Sequence, residues 1–247
     1  MSIHMQRLFT AALFLLFTRA AFAQTADEII QKHIEAVGGR AALEKIKSRV
    51  TTGTITLSLP IGGDATGSIE IYNLAPNKAR TLIRVDLSAL GVGQITQDQR
   101  LDGTAGYAID SLQGNRETTG DQLASVKNNF PTPFLNYKEN GTVELQGKEK
   151  VGDRDAYVLV GKPKEGPSVR WYLDAESYLP IKSVVKINVP QLGQESEQIT
   201  ELSDFRAVDG VKIAFRSKVI TSLQTITINV TKVEQNTNID PAMFSKP

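Results

Sequence analysis

The sequence predicts a mainly β protein with a few helices, its strands following one another as a large antiparallel meander. Three observations lead there. Downstream of Val50, apolar residues recur at every second position in about twelve segments, the period of a strand with one buried face. Most links between these segments are only a few residues long, whereas parallel strands need a crossover of a dozen or more. Helical spacing is confined to the stretch before Val50 and to one mid-chain insertion.

Residues 1–23 of the 247-residue chain stand apart as a secretory signal peptide. Arg7 supplies a positive start and Leu8 to Phe17 form an apolar run. Ala21-Phe22-Ala23 then offers a small-x-small cleavage site before Gln24. The run falls well short of the roughly 20 apolar residues that span a bilayer, and no later segment approaches that length. The expectation is an exported, periplasmic chain over residues 24–247, cleaved after Ala23, forming a single domain and not spanning a membrane.

The elements follow in order. Thr25-Ala26-Asp27-Glu28 is a capping box, in which the Thr hydroxyl meets the Glu28 amide and the Glu side chain reaches back. Ile30, Ile34 and Val37 follow at helical spacing, and Gly38-Gly39 ends the helix. A second short helix over 41–47 carries Ala42, Leu43 and Ile46 on one side. Strands are predicted over 50–59, 66–74, 78–86, 93–101, 104–110, 142–150, 154–162, 168–174, 178–188, 197–207, 211–220 and 223–233. Insertion 111–141 holds a helical stretch, Asp121 to Asn129. Two prolines then break it in Phe130-Pro131-Thr132-Pro133-Phe134-Leu135. Phe130, Pro131, Pro133, Phe134 and Leu135 read either as a lid over a concave apolar face or as a permanent cover on the core.

Links of two kinds alternate. Ala75-Pro76-Asn77, Asp102-Gly103, Gly152-Asp153 and Asp209-Gly210 are tight and polar, built from turn-forming residues. The others are longer and carry Ile61, Leu87, Leu90, Val92, Val189 and Leu192. Alternate links of a meander lie at opposite ends of the sheet, so these six gather at one end with the insertion. They read as mouth loops of a ligand site or docking surface, or as plugs folded back over the sheet.

Composition removes several kinds of chemistry. The chain has no cysteine, and beyond His4 in the leader its one histidine is His33. Zinc and copper sites, cysteine nucleophiles and histidine triads are therefore not expected, and no metal or other cofactor is assigned. A formal net charge of +1 with no basic run gives nucleic acid no electrostatic footprint. There is no G-x-S-x-G, and Gly141 to Lys148 has the wrong spacing for a phosphate loop. Asp102, Asp153, Asp174 and Asp209 occupy turns, so the chain is not expected to be an enzyme and no catalytic residue is assigned.

Several short motifs, taken in order, resemble a known family. They are Ile29 to Gly39 with Ala42 to Ser48, then Ala75-Pro76-Asn77-Lys78-Ala79-Arg80, then Asp102-Gly103-Thr104-Ala105-Gly106-Tyr107. Tyr172-Leu173-Asp174 with Leu179-Pro180-Ile181-Lys182 follows, then Asp204-Phe205-Arg206 with Val208 to Lys212, and the tail Asn238-Ile239-Asp240 to Phe244. Together they are similar to the periplasmic outer-membrane lipoprotein-sorting proteins, the lipoprotein carrier superfamily. This chain departs from the family in having Ala214 where a proline is common, and in being longer than the simple carriers. The resemblance implies an open half-barrel of Lol carrier type, its concave face covered by the N-terminal helices and the lid insertion. It implies a non-catalytic carrier that shelters a lipid or the acyl chains of a lipoprotein, and it matches Arg80 to an arginine of lid closure. The apolar wall would come from Ile55, Leu57, Ile69, Ile71, Val169, Trp171, Leu173, Ile213 and Phe215, each of which also suits a core position. Expected partners are the lipid or acyl chains, with a membrane-bound donor or acceptor protein as a further candidate. The alternative is an exported, non-enzymatic interaction or sensor module on the same fold.

Overall fold

The computed structural model describes residues 24–60, 62–124, 127, 129–189 and 194–246. Residues 1–23, on which the signal-peptide expectation falls, and Ile61 and Leu192 therefore lie outside the described residues. Two helices open the chain, α1 (Ala26–Ala36) and α2 (Arg40–Lys45). The first run of strands is β1 (Ser48–Ser58), β2 (Asp64–Leu74), β3 (Lys78–Asp86), β4 (Gln94–Leu101), β5 (Gly106–Asp110) and β6 (Arg116–Thr118). Short helices α3 (Gly120–Ala124) and α4 (Tyr137–Asn140) follow. The second run is β7 (Gly141–Val151), β8 (Arg154–Pro163), β9 (Val169–Asp174) and β10 (Pro180–Val189), then β11 (Gln194–Val208), β12 (Val211–Ile220) and β13 (Thr225–Gln235).

Each of the twelve predicted strands is present, and β6 is an addition inside the insertion, its three residues too short for a period to show. All the strands form one antiparallel sheet in the order β6-β5-β4-β3-β2-β1-β13-β12-β11-β10-β9-β8-β7. The meander is thus two meanders, joined where the first strand pairs with the last. That seam runs from Arg49 opposite Gln235 to Ser58 opposite Thr225, with a bulge between Thr52 and Gly53. The edge strands are β6 and β7, and the mid-chain insertion connects them.

Strand pairing fixes which residues share a face, because directly opposed residues point the same way. Trp171 stands opposite Ser183, and further along the sheet Ile55 stands opposite Ile228 and Gly67. Residues of β3 to β6 and of β7 to β11 line one shared cavity, although they come from opposite edges of the sheet. The sheet is therefore curled into an open half-barrel, with the helices and the insertion on its concave side.

Two apolar clusters lie on that side. In one, Ile29, Ile30 and Ile34 of α1 and Leu43 of α2 pack with Phe134, Tyr157, Leu159, Leu173 and Val211. In the other, Ile55 and Leu57 pack with Ala65, Val85, Leu87 and Ile95. Burial of each such aliphatic side chain is worth about 1.5–3 kcal/mol, enough to bend the sheet round its contents. The capping box starts α1 as the sequence predicts, with Thr25 Oγ1 accepting from the Glu28 amide and Glu28 accepting from the Thr25 amide. Gly38 sits at φ +133°, and a Cβ there would lie 2.3 Å from the Gly210 oxygen. Only glycine allows the helix to close so tightly on the β11–β12 turn, where the Lys212 amide donates to the Val37 oxygen.

The exposed sheet edges carry their own protection. β6 is three residues long, and β7 presents Glu144, Lys148, Glu149 and Lys150 with a bulge between Leu145 and Lys148. Charge, shortness and a bulge all discourage another strand from adding there. On the convex side the C-terminal turn Pro241–Phe244 packs against β3 with Phe244 buried.

Candidate functional site

The concave cavity has a volume of about 1130 Å³, larger than the pockets that hold most small ligands. Ala79, Thr81, Gln99 and Leu101 wall one side, and Val143, Val169, Trp171 and Val185 wall the other. Pro133, from the insertion, crosses between them. A Cβ on Gly161 would lie 2.3 Å from the Trp171 ring, so that glycine is what lets the indole lie flat on the sheet as part of the wall.

Of the residues that the sequence nominated for the cavity, Val169 and Trp171 line it. Leu173 is fully buried under the helices, with Ile213 packed against the same cluster. Ile55 and Leu57 belong to the second cluster, Ile69 is buried, and Ile71 is partly exposed. Phe215 is buried with the Arg206 guanidinium 4.5 Å from its ring.

The insertion segment divides in function. Phe134 is wedged edge-on between His33, at 4.9 Å, and Trp171, at 4.8 Å, and is 2% exposed. Leu135 packs beside it and gives its carbonyl to Arg40. Tyr137 and Lys138 both bond Asp27 at the start of α1. The Phe134 end is therefore anchored in the core, whereas Phe130 and Pro131 line a smaller hollow of about 240 Å³.

Among the mouth-loop residues, Leu87 is buried in the second cluster. Leu90 and Val92 are 42% and 51% exposed on the β3–β4 link. Val189 ends β10 opposite Gln194.

Arg80 does not reach the insertion. It alternates with Ala79 and Thr81 and so faces the convex side, where it makes two bonds to Asp98 at 2.8 and 2.7 Å. Arg100 adds two more bonds to the same carboxylate, at 3.2 and 2.8 Å. Burial alone would raise the Asp98 carboxyl, but the bonds and charges of the two arginines outweigh it and hold it below the usual range. Besides Arg40, Arg49 meets the insertion, its guanidinium lying 5.3 Å from the Phe130 ring centre. Desolvation lowers its pKa to about 10. The predicted first strand began at Val50 and left Arg49 out. Extending the alternation Leu57, Ile55, Gly53, Thr51 back by one step would have placed it on the concave face.

Among the described residues no group of three or more His, Asp or Glu side chains could hold a metal ion. Nor is any helix there long and apolar enough to cross a membrane.

The open antiparallel sheet, curled round helices and a cavity, is shared with several solved structures. A LolA superfamily protein from Nitrosomonas europaea superposes with a TM-score of 0.58 at 15% identity, covering 91% of this chain and 99% of that one. A DUF1329 family protein from Desulfovibrio piger gives 0.59 at 13% identity, covering 90% and 98%. A domain described as a candidate outer membrane lipoprotein-sorting protein, from Vibrio parahaemolyticus, gives 0.56 at 12% identity, covering 88% and 94%. The chain thus has the Lol carrier-like fold. No protein-family model matches its sequence, and no curated protein matches it in sequence either.

Proposed function

We propose that this protein is a periplasmic carrier that shelters a lipid, or the acyl chains of a lipoprotein, in the hollow of the half-barrel without catalysing a reaction on them. The observation that carries the reading is the cavity itself, about 1130 Å³ and opening between two edge strands, with Val143, Val169, Trp171 and Val185 on its wall. Transfer of an acyl chain from water gains roughly 0.8 kcal/mol per CH₂, so full burial of about 16 carbons is worth about 12 kcal/mol without directional bonds. The apolar stretch of this wall supplies part of that, with polar and charged side chains beside it. The Vibrio parahaemolyticus structure named for lipoprotein sorting shares this architecture, which supports the reading.

Trp171 is the chain's single tryptophan and lines the cavity, which makes the test direct. Purified protein is titrated with a fatty-acid probe brominated along its chain, a contact quencher of indole. Saturable quenching of Trp171, with unbrominated fatty acid competing, is the expected result. An unchanged emission, together with no copurified lipid in native mass spectrometry, overturns the carrier reading and leaves the exported interaction module.

A further inference from the structure

We infer that the cargo is an anionic amphiphile, its phosphate or carboxylate headgroup received by Arg49 in the smaller hollow while its chain occupies the larger cavity. The inference rests on the carrier reading and specifies the class of lipid.

Arg49 is a cation in need of an anion. Its side chain is largely removed from water, its Nε is buried without a hydrogen-bond partner, and its contact with the Phe130 face is to a neutral ring. Among the described residues it has no ion pair. Gln235 lies directly opposite it, but the Gln235 amide nitrogen is committed to the Val208 oxygen and its own oxygen is unpaired. A carboxamide is neutral, so even a bond to it would leave the guanidinium charge unbalanced. An uncompensated buried charge is costly, and a ligand anion removes that cost.

The hollow around Arg49 suits such an anion. It is lined by Arg49, Asn73, Asn77, Lys78, Phe130 and Pro131 among others, and among the described residues no carboxylate lines it. The Lys78 ammonium donates to the Asp102 carbonyl and shares its charge with the Asp102 carboxylate, so Arg49 is the cation that lacks a counter-charge there. The Asn73 side chain adds donors suited to phosphate or carboxylate oxygens, and Asn77, whose amide nitrogen already donates to the Gly103 oxygen, has one N–H left.

The hollow adjoins the main cavity. Asn77, Ala79 and Asn129 border both. Strand register draws the same path: Arg49 opposes Asn73, Asn73 opposes Ala79, Ala79 opposes Leu101, and Leu101 opposes Gly106. This one row across the sheet begins at the guanidinium and ends on the wall of the large cavity. Charges on the wall there are largely matched, Arg116 with Asp110, Lys127 with Glu165 and Lys162 with Glu144, which leaves Arg49 as the uncompensated cation of the path.

The test compares dibrominated stearic acid with its methyl ester, and a brominated phosphatidic acid with the matching diacylglycerol, by quenching of Trp171. The acid should bind roughly tenfold or more tightly than its neutral counterpart, the worth of a charge-assisted bond. In Arg49→Gln that ratio should fall close to one, and in Lys78→Gln it should fall part of the way. Urea midpoints check that both variants are folded; if Arg49→Gln is not, the Lys78→Gln ratio and the wild-type ratio decide. Equal affinity of wild type for acid and ester overturns the anionic assignment while leaving the carrier reading in place. Failure of both to quench overturns the two together. Inorganic phosphate alone raising the thermal midpoint as far as the acids do would make the hollow a free-anion site and overturn the headgroup assignment.

Discussion

His33 is 3% exposed, with Nδ1 donating to the Tyr178 carbonyl and Phe134 packed on its ring. Desolvation lowers its pKa below 6.5, although the bond to Tyr178 works the other way. The folded chain therefore holds this imidazole neutral where the unfolded chain would protonate it. The stability it lends is complete above about pH 6.5 and is lost as pH falls through the lower folded value. Wild type should accordingly show a falling urea midpoint between pH 7 and pH 5. His33→Gln, which keeps a donor for Tyr178 but does not titrate, should show a flatter profile across the same interval. No other histidine lies in residues 24–247, so over that stretch the comparison isolates one group. Composition could locate that histidine, but only the packing of α1 against Phe134 shows that it is enclosed.

At the scale of elements, the insertion behaves as an anchored strap. Phe134→Ala should cost about 3–5 kcal/mol in urea unfolding, because the ring fills a position between α1 and the sheet. Phe130→Ala, at a half-buried site over Arg49, should cost well under half as much. Equal losses at the two positions would contradict the division of the segment. The aromatic-proline motif announced a covering segment in the sequence, yet periodicity could not say which of its two phenylalanines the core takes. The strands themselves were legible because one face of each is buried and the other is wet. The three residues of β6 were not, since alternation needs more positions to register. Arg49 was missed for a related reason: a charge on a concave face breaks the pattern by which a strand's start is recognised.

The whole molecule depends on the seam between β1 and β13, which joins residues nearly the full chain apart. A Cβ on Gly53 would lie 2.5 Å from the Asn229 oxygen, so no larger side chain fits there without moving the strands. Gly53→Val should cost about 3 kcal/mol, the upper end of overpacking, and should lower the single urea transition of both meanders together. A variant in which one meander melted separately would show that the seam is not what couples them. Local patterning could not reveal this pairing, because alternation specifies a strand's faces and not its neighbour, so the antiparallel class was readable while the strand order was not. Where β6 and β7 face each other across the opening, neither gives a ladder hydrogen bond to the other. Spreading those margins to admit a bulkier guest would disturb side-chain contacts but rupture no strand pair, so the vessel can stretch along its rim without coming apart at its wall.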